Sequence, residues 1–196
     1  MLHSNAPIGV DLDDVIIDLA TALAKFHNAR YGTSYERSDS YTFKLEKMWG
    51  CNEEEMRQRV SEFYLSSFHN EALPVFGAVA ALTELKKKYP LIMITSRPEH
   101  VRKETELWIN RYIPNMFDEM YFLGNFLPDG TRIVSKGEMC KKRNVQLFIE
   151  DALHNAISVA QEEIPVLLFD TPWNQGELPP HITRVTGWED ALRVMG

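Results

Sequence analysis

A chain of 196 residues with 21 Lys plus Arg against 28 Asp plus Glu has a net charge of −7, and 44% of its residues are hydrophobic and 25% charged. That length and balance imply one domain, or one domain with an insertion, and exclude a globally disordered chain. No basic block or stripe is present to neutralise a run of phosphates, which argues against a nucleic acid polymer as partner. A small phosphorylated ligand needs only a few local donors and stays open. The two cysteines, Cys51 and Cys140, lie far apart and form no Cys-x-x-Cys pair, so they read as free thiols of a reducing cytoplasm. No apolar run approaches the roughly 20 residues that span a bilayer, and Met1-Leu2-His3-Ser4 lacks the pattern of a signal peptide. A membrane is therefore not expected as a partner.

In chain order, Ile8-Gly9-Val10 is a short apolar run that stops at Asp11, the pattern of a strand. Helices are expected from about Val15 to Tyr31 and from Glu53 to about Ser67. Between them, Gly32 to Thr42 is rich in turn residues and Asn52 is placed to cap the second helix ahead of Glu53-Glu54-Glu55. Ala78, Val79, Leu82 and Leu85 recur at helical spacing and lead into a second strand, Leu91 to Ile94. Val101 to Ile109 reads as the next helix, followed by strands Met120 to Leu123 and Val145 to Ile149, a small-residue helix Ala152 to Ala160, and a strand Val166 to Phe169. Thr171 to Pro180 is a loop, and Gly187 to Val194 a terminal helix. Strands that are apolar on consecutive positions are covered on both faces, so the class is α/β with a central parallel sheet. A crossover needs only a dozen residues or so, yet roughly seventy separate the first two strands. The excess reads as a helical insert of residues 19–75, with residues 1–18 and 76–196 forming the core.

Ligands of open α/β sheets bind beyond the carboxyl ends of the strands. Asp11-Leu12-Asp13-Asp14 follows the first strand, Thr95-Ser96-Arg97-Pro98 the second, and Glu150-Asp151 the fourth, with Lys136 ahead of it. Asp11 and Asp13 share one side of an extended segment. Two carboxylates there repel each other, and Mg²⁺, a hard cation with oxygen ligands, is the usual remedy, with Asp151 able to add a third carboxylate. Taken singly, Asp14 and Asp151 also stand where helices begin and could simply cap them. Thr95 and Ser96 offer hydroxyls and amides at an expected helix N-terminus, an anion site. Lys136, opening a helical stretch, could reach a phosphate as a point charge.

Four stretches then stand in order: strand then Asp11-x-Asp13-x-Val15, strand then Thr95-Ser96, Lys136, and strand then Glu150-Asp151. In this the chain resembles the haloacid dehalogenase-like phosphohydrolase superfamily. The Thr-Ser-Arg-Pro turn, the run Glu150 to Asn155 and the position of the insert are most similar to the deoxyribonucleotide 5′-nucleotidases and their bacterial relatives. The resemblance implies a Rossmann-like core with a small helical cap after the first strand. It implies an Mg²⁺-dependent phosphomonoesterase whose substrate is a small phosphate ester, in this branch a nucleotide. Asp11 would be the nucleophile and Asp13 the general acid and base. Thr95, Ser96 and Lys136 would bind the phosphoryl group. Asp11, Asp151 and the Asp13 backbone would hold the metal. Many relatives carry two aspartates where this chain has Glu150-Asp151. Glu150 is assigned to orienting Lys136 or a metal-bound water, roles that would swap with Asp151 if the longer side chain reached the metal. Asp14 and Asp18 fall outside the chemistry, at a helix dipole and at the cap hinge. Tyr41, Phe43, Trp49 and Arg97 are candidates for substrate contact, and Trp173-Asn174 for the mouth of the site.

Two alternatives share these residues: a phosphatase of sugar phosphates or other small esters, and a non-catalytic phosphate-binding module. A receiver domain is disfavoured by the acidic strand end after the lysine and by the long insert. A nucleoside kinase is disfavoured because no Gly-x-x-x-x-Gly-Lys loop exists.

Overall fold

A computed structural model describes residues 2–42, 44–124 and 134–196. Strand β1 (Ile8–Val10) is followed by helices α1 (Leu19–Tyr31), α2 (Leu45–Trp49), α3 (Glu53–Tyr64), α4 (Ser67–Asn70) and α5 (Ala78–Lys86), then strand β2 (Leu91–Thr95). The chain continues through α6 (Arg102–Tyr112), β3 (Glu119–Phe122), α7 (Lys136–Lys142), β4 (Leu147–Glu150), α8 (Leu153–Ala160), β5 (Val166–Phe169), β6 (Ile182–Val185) and α9 (Trp188–Met195). The strands form one sheet in the order β3-β2-β1-β4-β5-β6, with every pair parallel.

Every residue of β1, β2, β4 and β5 is buried, which is why these strands read as apolar runs up to Thr95 and Glu150 at the carboxyl ends of β2 and β4. One face of the sheet, with Ile8, Val10, Met93 and Ile149, packs on Leu82, Trp108 and Trp188. The other, with Ile94, Phe148 and Val166, packs on Met139, Ala156 and Val159. Gly9 lets the Phe148 ring close on β1, since a Cβ there would stand 2.5 Å from it. The architecture is a Rossmann-like α/β core with a helical cap inserted after the first strand. The linkers into and out of the insert pair with each other: Asp18 N–H donates to Leu73 C=O at 2.9 Å and Val75 N–H to Ile16 C=O at 2.8 Å. Inside the insert, Phe26 meets Phe63 and Phe68 edge-on at 5.7 and 6.0 Å between ring centroids.

Several elements depart from the expectations drawn from sequence. β6 falls in a C-terminal stretch with no strand pattern of its own. It is an edge strand whose two inner residues, Thr183 and Arg184, are not buried, so it lacks the apolar run of its neighbours. α1 begins at Leu19, not near Val15, because Val15, Ile16 and Ile17 are wholly buried in a turn that Asp14 opens with a left-handed φ of 54°. Asp18 caps the helix instead, accepting from Thr21 N–H at 3.4 Å. The helix expected to reach Ser67 ends at Tyr64. Thr95 and Ser96 do not sit at a helix N-terminus. Arg97 precedes Pro98 and is kept out of helical geometry, and α6 starts only at Arg102, after one 3₁₀ turn.

Among the described residues no helix is long and apolar enough to cross a membrane. Cys51 and Cys140 are free thiols.

Candidate active site

Sheet register assembles the site. Val10 lies opposite Met93 on β2 and Ile149 on β4, so the chain emerges from β1 at Asp11 beside Glu150 and close to Thr95. Asp11 N–H still donates to Ile149 C=O at 2.9 Å, which fixes its backbone to the sheet. Ligand atoms of Asp11, Glu150 and Asp151 all lie within 4.8 Å of one another, and all three residues are buried.

Lys136 enters from α7. Ser135 caps that helix through a reciprocal pair with Glu138. Gly137 allows α7 to press on α8, since a Cβ there would stand 2.1 Å from the Ser158 carbonyl oxygen. This close approach buries the Lys136 side chain completely and sets its Nζ 2.7 Å from Asp11 Oδ1 and 2.8 Å from Glu150 Oε2. The other oxygen of Glu150 accepts from Asp151 N–H at 3.3 Å and Ala152 N–H at 3.0 Å. Both Glu150 oxygens are thus engaged, the second holding the turn that leads into α8, and Asp151 does not cap that helix. Asp151 instead accepts from the Trp173 indole N–H at 2.8 Å, while its backbone carbonyl accepts from Asn174 at 2.6 Å.

Three buried carboxylates face one ammonium. Burial, reinforced by Glu150, pushes the carboxyls of Asp11 and Asp151 well above the usual carboxylate range. Burial alone would lower Lys136, but Asp11 and Glu150 outweigh it and its pKa is raised. The lysine stays charged, and three carboxyl groups crowd around it.

Asp13, partly exposed, is held by Arg97, whose Nη2 and Nε reach Asp13 Oδ1 at 2.6 and 3.0 Å. Thr95 is fully buried at the end of β2, and its hydroxyl oxygen accepts from Arg97 N–H at 3.2 Å. Asp14 accepts from Ala20 N–H in the first turn of α1 at 3.1 Å and pairs with Arg37. Burial pushes the Asp14 carboxyl up to about 6 against the pull of Arg37.

The residues proposed for substrate contact go to different places. Tyr41 is 63% exposed. Phe43 lies outside the described residues. Trp49 is buried in the insert's own core, stacked on His27 at 4.7 Å. Arg97 is buried on Asp13 rather than solvated. Sequence reasoning missed Arg37, which pairs with Asp14 and Asp18 and lies 5.2 Å over the Trp173 ring. It also missed His69 and Thr105, both bonded to Arg97. Nothing in their local sequence marks them, because the docking of the insert is what brings Arg37 and His69 to the core.

Comparison with known proteins identifies the family. The family profile described as "5′ nucleotidase, deoxy (Pyrimidine), cytosolic type C protein" matches residues 5–195. "Putative nucleotidase YqfW" of Bacillus subtilis is 31% identical over 193 residues, covering 96% of this chain and 92% of its own. A nucleotidase of Clostridium acetobutylicum is 24% identical over 189 residues, covering 96% and 92%. Among solved structures, the haloacid dehalogenase-like family protein SP0104 of Streptococcus pneumoniae superposes with a TM-score of 0.69 at 16% identity, covering 98% of this chain and 99% of its own. A predicted phosphoglycolate phosphatase of Haemophilus somnus gives 0.72 at 17% identity over the whole of both chains. At those identities the two structures attest the fold.

Proposed function

Because the chain belongs to the cytosolic type C deoxy 5′-nucleotidase family, and so to the phosphoric monoester hydrolases of the haloacid dehalogenase-like fold, we propose that it releases phosphate from (deoxy)nucleoside 5′-monophosphates through an aspartyl-phosphate on Asp11. The observation that carries the reading is the buried trio Asp11, Glu150 and Asp151 gathered against the ammonium of Lys136. The family match over residues 5–195 and the nucleotidase relatives support the nucleotide as substrate class.

The donor set fits Mg²⁺: only carboxyl oxygens, close together, crowded enough that burial and mutual repulsion raise Asp11 and Asp151 until a cation offsets them. Asp11, Asp151 and the Asp13 backbone carbonyl would hold the ion, which when bound supplies the positive charge that lets one anion approach another. Asp11 attacks phosphorus as the ester P–O bond breaks. Asp13 gives a proton to the departing oxygen and later takes one from the water that cleaves the phosphoenzyme, help worth about 10²–10⁴ in rate. The Thr95 hydroxyl and Ser96 amide hold phosphoryl oxygens, and Lys136 offsets charge on Asp11 and on the phosphoryl group. Glu150, with both oxygens engaged, anchors Lys136 and the turn before α8. The insert, residues 19–75, covers the site and excludes bulk water, and presents Tyr41 to the nucleoside.

The test is phosphate release from deoxyribonucleoside and ribonucleoside 5′-monophosphates and from sugar phosphates, each with Mg²⁺ and with EDTA. Release from nucleotides that needs Mg²⁺ is expected. Release from sugar phosphates with none from any nucleotide would overturn the substrate assignment.

A further inference from the structure

We infer that His69, a residue of the insert, is a positioning residue for proton transfer, acting through Arg97 to set which oxygen of Asp13 faces the substrate. The inference rests on the acid–base role proposed for Asp13. Its basis is the way Arg97 is held. The Arg97 side chain has no exposure to solvent, so its N–H groups must all find partners within the protein. Nε and Nη2 go to Asp13. Nη1 goes to His69 Nε2 at 2.9 Å and to Thr105 Oγ1 at 2.8 Å. The guanidinium carbon lies 5.0 Å from the centre of the Tyr64 ring. Thr105 belongs to the core helix α6, whereas His69 and Tyr64 belong to the insert helices α4 and α3. The cation that grips Asp13 is therefore gripped from both sides of the cap boundary.

Arginine donates and cannot accept, so Nε2 of His69 must offer its lone pair and the ring is neutral with its proton on Nδ1. His69 is wholly buried against Phe63 and Tyr64, at 5.6 and 5.3 Å between ring centres, which fixes the direction of that lone pair. A fixed acceptor on Nη1 fixes the plane of the guanidinium. That plane treats the two oxygens of Asp13 unequally. Oδ1 takes Nη2 at 2.6 Å and Nε at 3.0 Å, while Oδ2 takes only Nε at 3.2 Å. Oδ2 is the loosely held oxygen, on a side chain that keeps 24% of its surface open. It is the atom that exchanges the proton. Without His69, Nη1 is held only from the core side, by Thr105, and the guanidinium plane and with it the direction of Oδ2 are held less firmly.

Proton donation matters most when the leaving oxygen is basic, and kcat/KM reports the steps up to formation of the phosphoenzyme. The experiment measures kcat/KM for substituted phenyl phosphates, from phenyl to 2,4-dinitrophenyl, in wild type, His69→Ala and His69→Gln. These esters carry no nucleoside, so direct contact between His69 and a base cannot enter. In His69→Ala, phenyl phosphate should lose about tenfold more than dinitrophenyl phosphate, a fraction of the whole acid–base contribution. The amide oxygen of Gln can accept from Arg97, so His69→Gln should bring that ratio back to within about threefold of wild type. The ratio does not depend on the fraction of folded enzyme, so partial unfolding of the variant leaves it readable. An equal loss for every ester would overturn the inference. A wild type that cleaves nucleotides but none of these esters would overturn the inference alone, and one that releases phosphate from neither would overturn the proposed function with it. Nucleotide hydrolysis, assayed in parallel, can fail on its own without altering this comparison.

Discussion

Lys136→Met removes the ammonium between Asp11 and Glu150 while keeping most of the aliphatic stem. That ammonium stands 2.7 Å from Asp11 and 2.8 Å from Glu150, and the lysine and glutamate side chains are wholly buried. Taking one partner from a buried ion pair strands the other charges and typically costs about 3–5 kcal/mol. For a domain of this size each kcal/mol moves Tm by roughly 2–4 °C, so the midpoint should fall by about 6–20 °C. The pH dependence has a definite sign. Asp11 is already raised by burial and by Glu150, and Lys136 opposes that shift. Without Lys136 the folded variant binds the Asp11 proton still more tightly than the unfolded chain does. The deficit against wild type therefore shrinks as pH falls and grows as pH rises. Thermal and urea unfolding of both proteins at pH 5 and pH 8, in EDTA, measures it. A deficit under about 1 kcal/mol, or one of equal size at both pH values, would refute the buried-pair account.

Other perturbations test the supports around the site. Gly137→Ala drives a methyl against the Ser158 carbonyl and should cost about 1–3 kcal/mol in urea unfolding, with reduced turnover as α7 and Lys136 shift. Trp173→Phe removes the indole N–H that Asp151 accepts, and the Mg²⁺ concentration for half-maximal activity should rise about 10–100-fold. Burial, then Arg97, lowers His69 from its ordinary 6.5 to about 4, so the unfolded chain binds its proton more readily. Stability from this residue is full above pH 6.5 and is lost as pH falls towards 4, by up to about 3 kcal/mol. Subtracting the unfolding free energies of His69→Gln from those of wild type over pH 4 to 7 should show that slope.

The parts of the fold legible in the sequence are those governed by the sheet. β2 and β5 are buried on both faces and apolar throughout, save Thr95 at the carboxyl end of β2, so they can be read directly. The carboxyl ends of the strands then point to Asp11, Thr95 and Glu150-Asp151, and the parallel register brings them together. β6 escapes because an edge strand needs only Ile182 and Val185 inside. The start of α1 is misplaced because Val15, Ile16 and Ile17 are apolar for burial in a turn, which no helical periodicity distinguishes. Ser96 looks like a helix N-terminus until Pro98 defers the helix. Arg37 and His69 cannot be found at all. Each is one polar residue among others in the insert, and its meaning comes from long-range docking on Asp14 or Arg97.

The central claim concerns the covalent role of Asp11. Acid quenching of the enzyme during turnover of a nucleotide carrying radiolabelled phosphate, followed by proteolysis, locates any phosphoenzyme. Label is expected on the peptide that contains Asp11 and none in Asp11→Asn, which should fold but not turn over. Steady phosphate release from Asp11→Asn, or label on another peptide, would contradict that role.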